Sequence, residues 1–257
     1  MSHPTRTDRR HFLQQSLATG AAALLGGCDR LSENATVRQL LGSAEHLNRR
    51  LQRTITPTNA MAREYPESEL SPIFKSNGTY QPADPEYLAL ASANFTDWRL
   101  SVGGLVERPA QLSLEGLRAL PSRTQITRHD CVEGWSCIGK WKGARLAALL
   151  EQVGPLPAAR YVMFYCFDAL DESGDRYYES IDFADAFHPQ TILAYEMNDR
   201  PLPIAHGAPL RLRVERQLGY KMAKYLRAIE LVDSFERIGG GSGGYWEDRG
   251  YEWYARI

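Results

Sequence analysis

The stretch RHDCVEGWSCIGKW, residues 128–141, decides how the fold of this chain is interpreted, because it holds two of only four cysteines. Cys131 stands between an aspartate and a Val-Glu-Gly-Trp run, and Cys137 follows it within the same short stretch. A thiol in such a setting fits half of a disulfide, a nucleophile, a metal ligand or a small buried side chain. The rest of the sequence has to separate these alternatives.

The local alternatives can be weighed by spacing. A bridge between Cys131 and Cys137 would close a small ring, so its stabilising effect on the fold would be modest. His129 is near enough in sequence to activate a thiolate, but no hydrolase signature surrounds the pair. The paired Cys or His spacing of a zinc site and the CxxCH motif of c-type haem are both absent. A single soft thiolate on a transition metal, whose other ligands come from a large cofactor, is a further alternative.

Bulk composition is that of an ordinary globular protein, with 43% hydrophobic and 24% charged residues. The 257 residues are enough for one large core or two small ones. The formal net charge of -1 gives no basic excess, which argues against nucleic acid as a partner.

The amino terminus is typical of an export signal. Arg9 and Arg10 precede a short, weakly apolar run that ends in small residues, which predicts a Tat-type signal peptide over residues 1–27. The run is too short and too polar to span a bilayer. Leu25-Gly26-Gly27-Cys28 resembles a bacterial lipobox, so Cys28 is a candidate lipid anchor that would associate the protein with a membrane. The Tat pathway carries folded proteins and thereby hints at a cofactor inserted before export.

Residues 28–69 are predicted to form an N-terminal helix followed by an extended linker. Apolar residues repeat at helical spacing over 36–53, whereas five prolines disfavour a long helix over 54–86. We interpret the latter as an extended segment that lies over the surface of a domain spanning 70–257.

The remaining chain alternates between strand and short-helix patterns. Strands are predicted at 97–104, 124–130, 161–167, 209–216 and 224–233, and helices at 113–120 and 143–154. GGGSGG at 239–244 is interpreted as a flexible loop. Many strands with few short helices predict an α+β domain with a mixed sheet.

A second chemically informative stretch is HGAPLRLRVERQLGYKMAKY, residues 206–225. It is rich in Arg and Lys and is interrupted by two glycines. Cations combined with backbone amides are the usual binding site for a phosphate group. Taken alone, the same pattern is also typical of a strand with a solvated charged face.

Taken together, three separated stretches carry a resemblance: RHDCVEGW, AYEMNDRPLPIAHGAPLRLRVERQLGYKMAKY and GYWEDRGYEWYA. In this order they resemble the molybdopterin-dependent oxidoreductases of the sulfite oxidase family, over roughly residues 70–257. The closer likeness is to the bacterial Tat-exported branch, which includes periplasmic methionine-sulfoxide reductases. The resemblance implies the sulfite oxidase molybdopterin-binding fold, an α+β architecture.

The resemblance also implies a set of site residues. Cys131 matches the family's thiolate ligand to molybdenum, and Arg128 beside it is a candidate for binding an oxyanion substrate. Cys166 stands where the methionine-sulfoxide branch has a threonine contact, and His206 where some relatives have asparagine. The predicted contacts to the Mo-molybdopterin cofactor are Asn77, Tyr80, Gln81, Cys166, His206, Arg211, Met222, Ala223 and Lys224.

The activity implied is two-electron or oxygen-atom transfer on a small-molecule substrate, sulfite-like or sulfoxide-like, in the periplasm. Because the chain has no haem motif, electrons would be exchanged with a separate partner, a membrane b-type or soluble c-type cytochrome. Two alternatives from other classes are a thiol-based redox protein that uses Cys131 with Cys137, and a non-catalytic binding lipoprotein of the same fold.

Overall fold

The computed structural model describes residues 59–170 and 174–257, together with Leu51 and Pro57. Apart from Leu51, these residues belong to one compact unit, Thr56–Ile257. The predicted signal peptide, the candidate anchor Cys28 and, apart from Leu51, the predicted helix at 36–53 lie outside the described residues. Within the described part, no helix has both the length and the apolar character needed to cross a membrane.

In the described part of the chain, four short α-helices are interspersed among the strands: α1 (Pro85–Ser92), α2 (Leu114–Arg118), α3 (Leu146–Val153) and α4 (Phe183–Ala186). The strands of the amino-terminal half are β1 (Leu100–Gly104), β2 (Ala110–Leu112), β3 (Ser122–Asp130), β4 (Ser136–Arg145) and β5 (Tyr161–Ala169). The remaining strands are β6 (Arg176–Asp182), β7 (Ile192–Met197), β8 (Arg200–Pro201), β9 (Arg211–Arg213) and β10 (Leu226–Val232).

Two sheets organise the described chain. The first has the strand order β2-β1-β10-β5-β6, and the second has the order β3-β4-β7-β8 with β9 paired to β7. Strands β1 and β10 run parallel, whereas the other pairs are antiparallel. The predicted α+β class with a mixed sheet and few short helices is therefore confirmed.

Local chemistry sets the helix limits. Ser113 accepts a hydrogen bond from the Gly116 amide and begins α2, and Gly154 ends α3 in a left-handed conformation at φ 69°. Pro85 is one of the five prolines that disfavour a long helix over 54–86, yet it begins the short helix α1, because proline suits the first helical turn.

Three other element predictions need correction. Residues 143–145, predicted as helix, complete β4, because α3 begins only at Leu146. The predicted strand at 209–216 is reduced to Arg211–Arg213, because residues 214–219 turn away from the ladder. The glycine-rich stretch 239–244 is a loop, but hydrogen bonds hold it in place. Asp248 accepts them from the amides of Gly240 (2.7 Å) and Ser242 (2.8 Å).

The extended amino-terminal segment follows the second sheet. The Tyr65 amide donates to the Ile126 carbonyl at 2.9 Å, and the Ser71 amide donates to the Ile138 carbonyl at 3.0 Å. The segment thereby carries residues 74–79 along the sheet, and its path agrees with the predicted surface course.

One hydrophobic core joins the two sheets. Its members include Leu146, Leu149 and Leu150 of α3, Val162 and Phe164 of β5, and Leu193 of β7, all fully buried. A smaller cluster lies around Trp141 of β4. The alternative of a solvated charged face does not hold for β9, since Arg211 and Arg213 have no exposed surface and lie 5.0 and 4.4 Å from the Trp141 ring centre.

We predict that protonation of His188 at acid pH lowers the free energy of unfolding. Burial, with the charge of Arg216 next, lowers the pKa of His188 from 6.5 to about 4. Its Nδ1 accepts from the Gln190 amide at 3.2 Å, so the neutral ring is the form that the fold holds. The stability that this adds is complete above pH 6.5, the ordinary pKa, and is lost as the pH falls towards 4.

We therefore expect His188→Gln to lower the unfolding free energy at neutral pH but to flatten its decline between pH 6.5 and 4. Chemical denaturation at several pH values measures this slope. An unchanged slope in the variant would contradict the assignment.

Candidate active site

A cleft of about 170 Å³ opens where several loops meet. Its lining comes from residues 77–79 of the amino-terminal segment, from the turn after β3, from the end of β5 and from β6. Two further loops, within residues 219–224 and 246–251, complete it. The lining residues are Asn77, Gly78, Thr79, Cys131, Val132, Glu133, Asp168, Leu170, Tyr177, Gly219, Tyr220, Met222, Lys224, Trp246 and Tyr251.

Cys131 is held by a tight turn at the end of β3. Its amide donates to the Trp135 carbonyl at 2.9 Å, and its carbonyl accepts from the Gly134 amide at 3.0 Å. Gly134 adopts φ 84°, which favours glycine. Only 9% of Cys131 is exposed, and burial is the main cause that raises the pKa of its thiol. Without a metal or a cation against the sulfur, this group stays protonated.

Lys224 points its ammonium group into the amino-terminal segment of the cleft. Nζ donates to the carbonyl oxygens of Asn77 (2.6 Å), Thr79 (2.5 Å) and Ala205 (3.2 Å). Burial, with the charge of Arg211 next, lowers the pKa of Lys224 to about 7. The ammonium is therefore solvated by carbonyl dipoles, and an anion in the cleft would stabilise its charge.

Arg211 is a second buried cation close to Lys224. A Cβ on Gly207 would lie 3.0 Å from Cβ of Lys224 and 3.2 Å from Cβ of Arg211, so the two stems flank this glycine. The guanidinium donates to the carbonyls of His206 (3.0 Å) and Met222 (3.3 Å), and its Nε has no hydrogen-bond partner. Burial and the neighbouring Arg213 lower the pKa of Arg211 to about 9. No carboxylate pairs with it among its described hydrogen bonds.

His129 lies beneath the same loops. Its Nδ1 lies 3.0 Å from Nη1 of Arg213, so it accepts and the remaining proton is on Nε2. That Nε2 is buried without a partner, and a Cβ on Gly219 would lie only 2.4 Å from it. Burial and the adjacent guanidinium groups keep the pKa of His129 well below its usual value, so the ring is neutral.

Four of the residues predicted from sequence meet in the cleft: Asn77, Cys131, Met222 and Lys224. The other predicted cofactor contacts do not line it. Tyr80 and Gln81 are exposed just beyond the amino-terminal segment, with Tyr80 at 63%. His206 lines a separate groove with Phe74 and Met197. Cys166, Arg211 and Ala223 are buried behind the lining.

Arg128 lies apart from the cleft. It is on the opposite face of β3 from His129, pairs with Asp130 at 2.9 Å, and lines a groove with Tyr65 and Thr127. The structure therefore does not bring the predicted oxyanion-binding residue to the thiol of Cys131. Its catalytic role stays a prediction from sequence.

Several cleft residues were not found from sequence. The four aromatic residues Tyr177, Tyr220, Trp246 and Tyr251, here called the aromatic wall, come from three separate segments. Two of them lie in the motif GYWEDRGYEWYA, whose density of aromatics was the available signal. Asp168 directly follows the buried strand pattern at 161–167, a position where a polar residue emerges at a sheet edge.

The described cysteines are unpaired, so the structure contains no Cys131–Cys137 bridge. Among described residues, no three His, Cys, Asp or Glu side chains are grouped as a metal site. A metal at Cys131 would therefore take its other ligands from a cofactor, as in the alternative of a single soft thiolate.

The residues fit such a cofactor. Cys131 offers one sulfur ligand, and Lys224 and Arg211 offer positive charge. The described hydrogen bonds of Arg211 go to backbone carbonyl groups and not to a carboxylate. The buried Arg211 Nε and His129 Nε2 lack partners, and such groups are costly unless satisfied. The anionic part of a cofactor in the cleft would meet Lys224 in the lining, with the stem of Arg211 close behind it.

Comparison with known proteins agrees with this chemistry. The family model of the oxidoreductase molybdopterin binding domain matches residues 87–237. A relative from Azospira oryzae that bears the name protein-methionine-sulfoxide reductase subunit YedZ1 is 40% identical over 96% of this chain and 87% of its own length. The protein-methionine-sulfoxide reductase catalytic subunit MsrP of Xanthomonas axonopodis pv. citri is 36% identical over 56% of this chain and 48% of its own.

A further MsrP, from Campylobacter jejuni, is 31% identical over 68% of this chain and 63% of its own length. Among solved structures, the sulfane dehydrogenase SoxCD from Paracoccus pantotrophus aligns with a TM-score of 0.48 at 24% identity, covering 54% of this chain and 39% of that one. The chain thus spans about half to two thirds of these two MsrP proteins.

The matched family defines the class of protein, an oxidoreductase that carries a molybdopterin cofactor. The chain belongs to the family of oxidoreductases with a molybdopterin-binding domain, as the sequence resemblance indicated. It is a molybdopterin-dependent oxidoreductase related to the methionine-sulfoxide reductases, and its cofactor is Mo-molybdopterin.

Gly219 provides a test of the cleft geometry. A Cβ there would lie 2.4 Å from the His129 ring, so Gly219→Ala must displace either His129 or the loop that carries Met222. Since groups that support a metal site typically change affinity by about tenfold or more, we expect cofactor retention to weaken by about tenfold. Fluorescence of the released, oxidised pterin measures it.

Gly103→Ala is the matched control, because a Cβ at Gly103 meets nothing within 4 Å. It should retain the cofactor at the level of the unsubstituted protein. Equal retention by the Gly219 variant would show that the close approach to His129 is unimportant for the cleft.

Proposed function

We propose that this chain reduces sulfoxides to thioethers with a bound Mo-molybdopterin. The observation that carries the proposal is the character of the cleft around Cys131. Aromatic residues dominate one side, and Val132 and Glu133 follow the thiol. Among the described lining residues Lys224 is the only cation, and it is engaged by carbonyl groups.

This lining favours a neutral substrate over a sulfite-like anion. Glu133 lies close enough to Cys131 to help raise the pKa of its thiol and would repel an anionic substrate there, whereas a sulfoxide presents a polar S–O group and apolar substituents. The names of the relatives, protein-methionine-sulfoxide reductases, support the same choice. The substrate class proposed is therefore a small sulfoxide, free or on a methionine side chain.

The cofactor would be held by residues of separate segments. Cys131 would bind the molybdenum through its sulfur, and Lys224 with Arg211 would stabilise the anionic part of the pterin. When bound, the molybdenum centre supplies two-electron redox chemistry. Asn77 lies in the lining beside Lys224 and is proposed as a further contact, as are Met222 and Ala223.

Sulfoxide reduction consumes protons, since the oxygen atom leaves as water. Asp168 is a candidate to hold one of them. Burial raises the pKa of Asp168 to about 6 although Lys224 opposes the shift, and its Oδ1 has no hydrogen-bond partner. At near-neutral pH the carboxyl group is thus partly protonated inside the cleft.

The cellular setting is also a proposal. Arg9 and Arg10 with the run that follows support Tat export to the periplasm, and Cys28 supports attachment to a membrane through a lipid. The sequence lacks a covalent haem motif, so a cytochrome partner, a membrane b-type or a soluble c-type protein, would supply electrons.

The alternative of a thiol-based redox protein is weaker. Such proteins use an exposed thiol of lowered pKa, whereas Cys131 is buried and the pKa of its thiol is raised. Cys137 is buried too, and its sulfur contacts the Ile73 carbonyl at 3.7 Å, outside the cleft lining.

The test compares Cys131→Ala with Cys137→Ala as a matched control. We expect the unsubstituted protein, expressed in a host that makes the cofactor, to contain about one molybdenum and one pterin per chain. It should reduce methionine sulfoxide with a reduced viologen dye as electron donor. Cys131→Ala should lose molybdenum and activity, whereas Cys137→Ala should keep both.

Elemental analysis, pterin fluorescence and dye oxidation measure these three quantities. If both variants lose activity and neither they nor the unsubstituted protein contain molybdenum, the thiol-based redox protein that uses Cys131 with Cys137 is favoured. Molybdenum with sulfite oxidation but no sulfoxide reduction would reject the proposed substrate.

A further inference from the structure

Three buried charged residues adjoin the aromatic wall without lining the cleft. Lys221 donates through Nζ to Glu179 and, at 2.6 Å, to Oε1 of Glu247. The side chains of all three are at most 1% exposed. We call this cluster, Glu179, Lys221 and Glu247, the buried triad.

The position of the triad in sequence is informative. Glu179 follows Tyr177 by two residues on β6, so both side chains lie on one face of the strand. Lys221 directly follows Tyr220, and Glu247 directly follows Trp246. Each member thus lies within two residues of a different member of the aromatic wall.

Contacts within the wall are consistent with this arrangement. The Tyr177 hydroxyl donates a hydrogen bond to the Tyr220 carbonyl. Tyr251 stacks on Trp246 with ring centres 5.2 Å apart and meets Tyr220 edge-on, also at 5.2 Å. Three chain segments that share few backbone hydrogen bonds are therefore joined at one place by ion pairs and ring contacts.

The backbone near the triad is shaped to admit it. A Cβ on Gly244 would lie 2.1 Å from Oε2 of Glu247 and 2.7 Å from Oε1 of Glu179, so only glycine lets this loop approach the carboxyl groups. The Tyr245 amide then donates to the Tyr178 carbonyl at 3.0 Å. The carboxyl-terminal loop is thereby fixed against β6.

Burying three ionisable groups is costly, and apolar residues of similar size would often give equal stability. Burial and the neighbouring Glu247 raise the pKa of Glu179 well above its usual value, although Lys221 opposes the shift. Such a cluster is better suited to fixing the relative positions of chain segments than to adding stability.

We propose that the buried triad is a positioning device that fixes the aromatic wall against the sulfoxide substrate. The proposal rests on the proposed function of the cleft. The triad residues do not touch the substrate; they act through Tyr177, Tyr220 and Trp246, which line the cleft together with Cys131.

The experiment measures the holoenzyme with free methionine sulfoxide and a reduced viologen dye. Glu247→Ala removes one ion pair of Lys221 but keeps the Lys221–Glu179 pair, so neither remaining charge is unpaired. We expect KM to rise about tenfold with kcat changed less than about threefold, because wall contacts are lost without loss of the metal site. Amides of residues 243–251 should exchange with solvent about tenfold faster.

Two variants complete the comparison. Glu247→Gln keeps an oxygen that accepts from Lys221, so KM and exchange should return to within about threefold of the unsubstituted enzyme. Leu149→Ala, in the core on α3 and outside the cleft lining, lowers stability and should leave KM unchanged. Molybdenum and pterin content should stay constant in every variant.

Trp246→Leu tests the wall directly and is informative even where Glu247→Ala cannot be purified. It should raise KM by about tenfold while leaving the triad in place. An unchanged KM in this variant, unchanged exchange in Glu247→Ala, or an equal KM increase in Leu149→Ala would each overturn the proposal. Failure of the proposed function would instead appear as absent molybdenum or absent sulfoxide reduction in the unsubstituted protein, and hydrogen exchange would still decide whether the triad holds the loop.

Discussion

Burial of positive charge is the constraint on which the rest of this structure depends. One stretch of the chain carries Arg211, Arg213, Lys221 and Lys224, all at most 5% exposed. A buried cation is stable only when paired or hydrogen-bonded. The fold meets this need differently at each position, and the differences separate structural charges from those available to a ligand.

Two of these cations are matched by carboxylates. Arg213 donates to both oxygens of Glu215, at 2.9 and 2.6 Å, and also lies over the Trp141 ring. Lys221 has two carboxylate partners of its own. Arg211 and Lys224 instead donate mainly to backbone carbonyl groups, which solvate a charge but do not neutralise it. Asp168 is the carboxyl group whose charge acts on Lys224, and these two cations lie where the cofactor's anionic part is proposed to bind.

The sequence predicted the class of fold and the elements with strong periodicity, such as α3 and β5. It underestimated how deeply the charged strand β9 is buried, because local pattern cannot distinguish a solvated Arg from one stacked on Trp141. Motif likeness placed Cys131 and Lys224 in one site, and both line the cleft. The aromatic wall depends on contacts between distant segments, which no local pattern reveals.

Burial also determines the chemistry of the thiol. Cys131 lies in a tight turn and is almost buried, so its pKa is raised and the free thiol is a poor nucleophile. A bound metal reverses this, because coordination keeps the sulfur ionised where burial alone would not. Burial would then exclude water from the proposed metal ligand. A buried thiol of raised pKa is therefore unsuited to thiol exchange, whereas a metal held by an anionic cofactor would keep it ionised.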